Sequence, residues 1–216
     1  MDKIYLMLTG QMEMDEFMEA FKYDPEVRKS ISSLIPENAK NNPSHEIWKG
    51  YSYEFAESKG FDLYLMLMSF IRFDSSMGDS LNLHSTLGHF YSFVNKDIVL
   101  TNKYEEEFDC YLACLGGSET YEGPEVDKLV QSIVREGMSI PQKTKRIKAV
   151  KERIKQTFHT EDGKKPYWIQ GGEWPMGKDS PMKFIKRERD KKDPEKVNFY
   201  FQDVTTGDVR VVEQYY

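Results

Sequence analysis

The sequence is poor in the residues that carry covalent chemistry. Cys110 and Cys114 are its only cysteines in 216 residues, too few for a disulfide framework. Four apart on a predicted helix, they also lack the second Cys or His pair that a tetrahedral zinc site requires. They are expected to be reduced, unliganded thiols, and neither a metal nor another cofactor is expected. The four histidines, at positions 45, 84, 89 and 159, are scattered. His84 and His89 lie about 140° apart around a helix, so they do not form an i, i+4 ligand pair. No H-E-x-x-H, G-x-S-x-G, Walker loop or G-x-G-x-x-G is present. The glycine pairs at 116–117 and 171–172 are followed by Glu119 and Glu173, which suits turns better than phosphate cradles. Carboxylates are plentiful, but sequence offers no way to choose an acid and base pair among them. Long apolar runs are missing too. The longest uncharged one, residues 63–71 between Asp62 and Arg72, is far short of the ~20 residues that cross a bilayer as a helix. The opening Met1-Asp2-Lys3-Ile4 has none of the parts of a secretory signal, so the chain is expected in the cytosol and away from membranes.

What the chain has in quantity is aromatic surface and unevenly distributed charge. Thirteen Tyr, thirteen Phe and three Trp, with 39% hydrophobic and 31% charged residues, describe a folded protein able to bury a core. The net charge of −6 conceals two regions. Residues 1–140 hold 12 Lys and Arg against 24 Asp and Glu, and residues 141–216 hold 18 against 12. The acidic region disfavours nucleic acid and favours a basic protein, whose approach it would accelerate. The same distribution is also explained if the two regions neutralise each other or merely keep the protein soluble.

Periodicity predicts helices through about residue 159. Met14, Phe17 and Phe21 share one face, and Asp24-Pro25 supplies a stop followed by a cap and first residue for the next helix, with its stripe Val27, Ile31, Leu34 and Ile35 ending at Pro36. A polar loop over 37–46 leads to a helical pattern near Ile47 and Trp48, and the 63–71 run reads as a buried helix or strand. Leu83, Leu87, Phe90 and Val94 form another stripe. So do Tyr104, Phe108, Tyr111, Leu112 and Leu115, with Glu105, Glu106 and Asp109 opposite and Glu107 near the edge. Pro124 opens a helix with Val126, Leu129, Val130, Ile133 and Val134 inward, ending at Gly137. Ser139 to Gln142 has capping-box spacing ahead of a basic helix with stripe Ile147, Val150, Ile154 and Phe158.

From residue 160 the pattern becomes β, with short strands expected at 167–170, 182–187, 197–203 and 209–214 and a hairpin turn at Thr205-Thr206-Gly207. So small a sheet cannot stand alone and should dock on the helices. Trp168 and Trp174 are expected to cover it; exposed, they would instead mark an interaction hot spot. The expected fold class is α+β, with a helical region over 1–159 and a small antiparallel β module over 160–216, packed as one structural unit.

Residues 166–185, with the pattern W-x-Q-x-x-E-W-P-x-G-x-x-x-P-M-x-F, and the closing hairpin with T-G-x-x-x-V-V-x-Q resemble a C-terminal β module of bacterial immunity proteins of polymorphic-toxin and contact-dependent inhibition systems. The helical segments containing Phe21-Lys22-Tyr23-Asp24-Pro25 and Arg72-Phe73-Asp74 are similar to that group as well. The resemblance implies a cytosolic antitoxin that binds and masks a cognate toxin and has no catalysis of its own. No toxin-contacting residue transfers by motif. The candidate partner-binding residues therefore come from charge: Glu105, Glu106, Asp109, Glu119 and Glu122, a concentration without a nearby base until Lys128, suited to a basic toxin. Two other classes compete. One is an enzyme with a cleft between helices and sheet. The other is a nucleic-acid-binding regulator using the 143–155 helix, with Lys143, Lys145, Arg146, Lys148, Lys151, Arg153 and Lys155 but almost no aromatics for stacking.

Overall fold

In the computed structural model, residues 2–34, 77–92, 94–115, 121 and 123–216 are described. Ile35, Pro36, the 37–46 loop, Ile47 and Trp48, the 63–71 run, Arg72-Phe73-Asp74, the glycine pair at 116–117, Glu119 and Glu122 lie outside the described residues. The class is α+β. Seven helices are described, α1 (Lys3–Leu8), α2 (Met14–Tyr23), α3 (Pro25–Leu34), α4 (Met77–Tyr91), α5 (Lys103–Leu115), α6 (Pro124–Gly137) and α7 (Lys143–Thr157). Strands β1 (Lys183–Arg189), β2 (Lys196–Gln202) and β3 (Val209–Tyr215) follow as an antiparallel sheet in that order. By contact density the chain divides into two compact units, Met1–Glu106 and Glu107–Tyr216.

The first unit is built on amphipathic spacing. Met14, Phe17, Met18 and Phe21 of α2, Val27, Ile31 and Leu34 of α3, and Leu83, Leu87 and Phe90 of α4 bury one cluster together with Ile4, Met7 and Leu8 of α1. Asp24 closes α2 and accepts the Glu26 amide at 3.0 Å, capping α3, while Lys3 pairs with it at 2.8 Å and holds its carboxyl below the usual range. Asp2 caps α1 through the amides of Ile4 and Tyr5, and its other oxygen accepts the Tyr91 hydroxyl at 2.6 Å. Burial is the main reason that hydroxyl is pushed up to about 12. The α4 stripe ends one turn earlier than its periodicity suggests: the helix stops at Tyr91, and Val94 is exposed.

The second unit joins α6 and α7 to the sheet through aromatic rings. Val126, Val130, Ile133 and Val134 of α6 and Val150 and Ile154 of α7 are buried. Phe158 and Tyr121 then meet Trp174 at ring distances of 5.2 and 5.5 Å, and Trp174 meets Phe201 of β2 at 5.4 Å. Strand β2 alternates as its sequence implies, with Val197, Phe199 and Phe201 buried. Trp174 is fully buried and its indole N–H donates to the Met182 carbonyl at 2.9 Å. Trp168 stacks on Phe201 and meets Phe199 at a tilt.

Two local expectations are corrected. Residues 167–170 do not form a strand. The buried Gln214 side chain takes over what a neighbouring strand would do, accepting the amides of Ile169 and Gln170 and donating to the carbonyls of Gln170 and Gly171. The chain then turns back so closely that a Cβ at Gly172 would lie 2.2 Å from the Trp168 ring. The Ser139 capping box does not form either: the helix is capped at Gln142 without a side-chain bond, and the Ser139 hydroxyl donates to the Glu136 carbonyl instead.

The β2–β3 turn hangs on Asp203. Its carboxylate accepts the amides of Lys178, Thr205 and Thr206 at 2.7, 2.7 and 3.2 Å, which hold it below the ordinary carboxylate range. A carboxylate with a depressed folded pKa stabilises above the unfolded value of 3.8 and loses that contribution as pH falls through the folded value. Asp203→Ala is therefore expected to lower the thermal midpoint at pH 7. The gap from the parent protein should narrow as pH falls below 3.8, as calorimetry across pH 7 to 2.5 would show; a gap independent of pH removes the role of the charge.

Candidate functional site

The acidic candidates of α5 are placed by helical geometry. At ~100° per residue, Tyr104, Glu107 and Cys110 fall on one arc and are buried, while Glu105, Glu106, Asp109 and Leu112 fall on the opposite arc and are exposed. The observed inward face is thus rotated from the expected stripe. Leu112 leaves it, 51% exposed, and Glu107 enters it at 6%. One turn beyond Asp109 and two beyond Glu105, Leu112 puts an isobutyl group on the acidic side of the helix. The sequence reading misses this because a leucine among aromatics scores as core. The depth of Cys110, a small thiol that packs as a hydrophobe, agrees with the rotation.

The Asn102 side chain donates to Glu106 at 2.8 Å, and Lys143 of α7 reaches Asp109 at 2.9 Å, with side chains 66% and 50% exposed. An ion pair that wet contributes about 0–1 kcal/mol. Glu105 and Glu106 also sit in the first turn of α5, where the helix dipole favours acids. Glu119 and Glu122 lie outside the described residues.

The basic helix is less available than its composition suggests. Arg146 is 7% exposed and turned inward, its guanidinium donating to the carbonyls of Ile140 and Pro141 and contacting the Met138 sulfur. Lys143 answers Asp109. Lys145, Lys148, Lys151, Arg153 and Lys155 remain exposed, with Glu152 within 3.9 Å of Lys155.

Cys110 is buried and Cys114 half-buried, both as free thiols. Burial raises both, Cys114 to about 12, and the Cys114 sulfur lies 3.8 Å from the Ile147 carbonyl. Such thiols are poor nucleophiles and poor metal ligands. Among the described residues no group of three or more His, Cys, Asp or Glu is arranged to hold a metal ion. His84, also buried, lies 3.0 Å through Nε2 from the Leu8 carbonyl, and burial lowers its pKa. These contacts give it a structural place, tying α4 to the end of α1.

The second unit also contains a cleft of about 370 Å³ between the start of α6, residues 173–176 and residues 210–212 of β3. Glu125, Glu173 and Arg210 stand exposed at its rim over walls that include Val126, Pro175 and Val212. Gly123 shapes one side. Its φ of 121° belongs to glycine, and a Cβ there would stand 3.1 Å from the Glu173 side chain.

No family model matches the chain, and neither a curated protein nor a solved structure is found to match it. Among the described residues no helix is long and apolar enough to cross a membrane.

Proposed function

We propose that this chain is a cytoplasmic protein-binding inhibitor of the immunity kind, which docks a basic toxin domain on the exposed side of α5 and carries out no chemistry itself. The observation that supports it most is Leu112, half exposed beside Glu105 and Asp109. Protein interfaces combine an apolar centre with a polar rim whose charge steers the encounter, and this helix side offers both kinds of surface. The Asp109–Lys143 ion pair is weak enough for a cationic partner to displace. The resemblance of residues 166–185 to the immunity-associated module supports the same reading.

An enzymatic reading has its own observation, the cleft with two carboxylates and an arginine at its rim. One experiment separates the two. In the group the chain resembles, an immunity gene lies beside its toxin gene, so the neighbouring reading frame is expressed with and without this chain. The expected result is growth arrest relieved by the chain, a stable complex of the two purified proteins, and relief unaltered by Glu125→Gln with Glu173→Gln. Relief lost in that double variant while the complex persists would favour the enzyme.

A further inference from the structure

We infer that Arg187, Arg189 and Tyr216 form a binding site for a phosphate dianion, free or as a phosphomonoester. Arg187 and Arg189 alternate on β1, opposite Phe199 and Val197 of β2, so both side chains leave the same face of the sheet. That face is buried along β2, at Val197, Phe199 and Phe201, and at Phe184 of β1, but further along the edge strand β1 the two arginines are exposed. Tyr216 joins them because its amide bonds the Glu195 carbonyl, continuing the β2–β3 pairing past Tyr215.

The two guanidinium groups converge on one oxygen. Arg187 donates to the Tyr216 hydroxyl at 2.8 Å and Arg189 to the same atom at 3.4 Å. Each is also held by a ring: Arg187 lies 5.5 Å from the Phe199 centroid and Arg189 5.2 Å from that of Tyr216. Guanidinium groups held over rings and hydrogen-bonded to one hydroxyl have lost part of the freedom that binding would otherwise remove. Neither arginine forms an ion pair among the described residues. Glu188 and Glu213 of the sheet leave its opposite face, where they pair with Lys186 and Lys196.

Two cations brought together around a neutral phenol repel each other, and neither has an ion pair among the described residues to offset this. The Arg189 hydrogen bond, with the charge of both arginines, holds the phenol below its usual range. A tetrahedral dianion removes that repulsion and offers several acceptor oxygens to two planar forks and a hydroxyl donor. A carboxylate offers two and fits one fork. The site is separate from the α5 face, the 370 Å³ cleft and the basic helix, and it does not depend on the proposed inhibitor role.

The test is a titration of the isotopically labelled full chain at constant ionic strength with inorganic phosphate, methyl phosphate and acetate, followed by backbone amide shifts. Saturable shifts are expected at residues 187–189, 197–199 and 214–216 with either phosphate. Tighter capture of methyl phosphate would identify an esterified ligand, and equal affinity free phosphate. Arg187→Gln with Arg189→Gln should weaken binding at least tenfold, while Lys186→Gln with Lys196→Gln changes it less than twofold. Arg187→Lys with Arg189→Lys keeps the charge but loses the forks and should weaken it severalfold, and unchanged melting of all variants shows that the fold is intact. The proposal is overturned if the shifts fall on α7 or do not saturate, if acetate binds as tightly, or if the double glutamine variant binds like the parent.

Discussion

A chain ending at residue 160 loses the cooperative melting of its second unit and aggregates. The helices α6 and α7 bury narrow valine and isoleucine stripes against each other, but their aromatic ends face the sheet: Phe158 and Tyr121 are buried against Trp174, which in turn meets Phe201. Removing residues 161–216 re-exposes those two rings, on the order of 300 Å² of aromatic surface. At ~25 cal/mol per Å² that is about 7 kcal/mol, comparable with the whole stability of an ordinary domain at ~5–15 kcal/mol. Exposed aromatic surface of that size is also sticky. Calorimetry and size exclusion of the 1–160 fragment check this, and Trp174→Ala in the full chain checks it without truncation, with an expected cost of about 3–5 kcal/mol. A monomeric fragment whose α6 and α7 amides exchange as slowly as in the full chain would show that the helices stand without the sheet.

The parts of the fold legible in the sequence are those where one local rule acts alone. Asp24-Pro25 marks a helix junction because the cap and the fixed proline φ operate within three residues. The alternation of Val197, Phe199 and Phe201 reads as a half-buried strand because period two needs no partner to be seen. Legibility fails where a distant residue intervenes. The 167–170 segment has strand composition, yet a glutamine more than forty residues later satisfies its backbone. Arg146 counts as surface charge in any composition, yet three acceptors near the end of α6 draw it inward.

The candidate site divides in the same way. Exposure of Glu105, Glu106 and Asp109 follows from periodicity. That Leu112 belongs on their side does not, since a leucine, a thiol and a glutamate compete for the inward positions of α5 and hydrophobicity alone ranks them wrongly. The Arg187–Tyr216 contact was invisible in the sequence because β1 and the end of β3 are brought together only by the sheet register.

Charge reversal on α5 has its largest expected effect on the rate of docking. Replacing Glu105, Glu106 and Asp109 with lysine changes the local charge by six units on an exposed surface, and steering by such fields alters association rates by factors of ~10–1000. Against the basic toxin of the neighbouring reading frame, association should slow at least tenfold at low salt and its dependence on salt should flatten or reverse. Dissociation should change less, because rim charges act mainly on encounter. The fold bears a smaller burden: the Asp109–Lys143 pair and the first-turn dipole interactions are each about 1 kcal/mol or less. The neutral set Glu105→Gln, Glu106→Gln and Asp109→Asn should give an intermediate rate with almost unchanged melting. Leu112→Ala provides the complementary arm, since losing an apolar anchor should accelerate dissociation and leave the salt dependence of association as it was. Stopped-flow measurements from 20 to about 500 mM salt, where the screening length shrinks from ~20 Å to ~4 Å, read both quantities. Wild-type association across that range in the lysine variant would place the docking surface elsewhere. Loss of binding accompanied by early melting would assign these carboxylates to the fold.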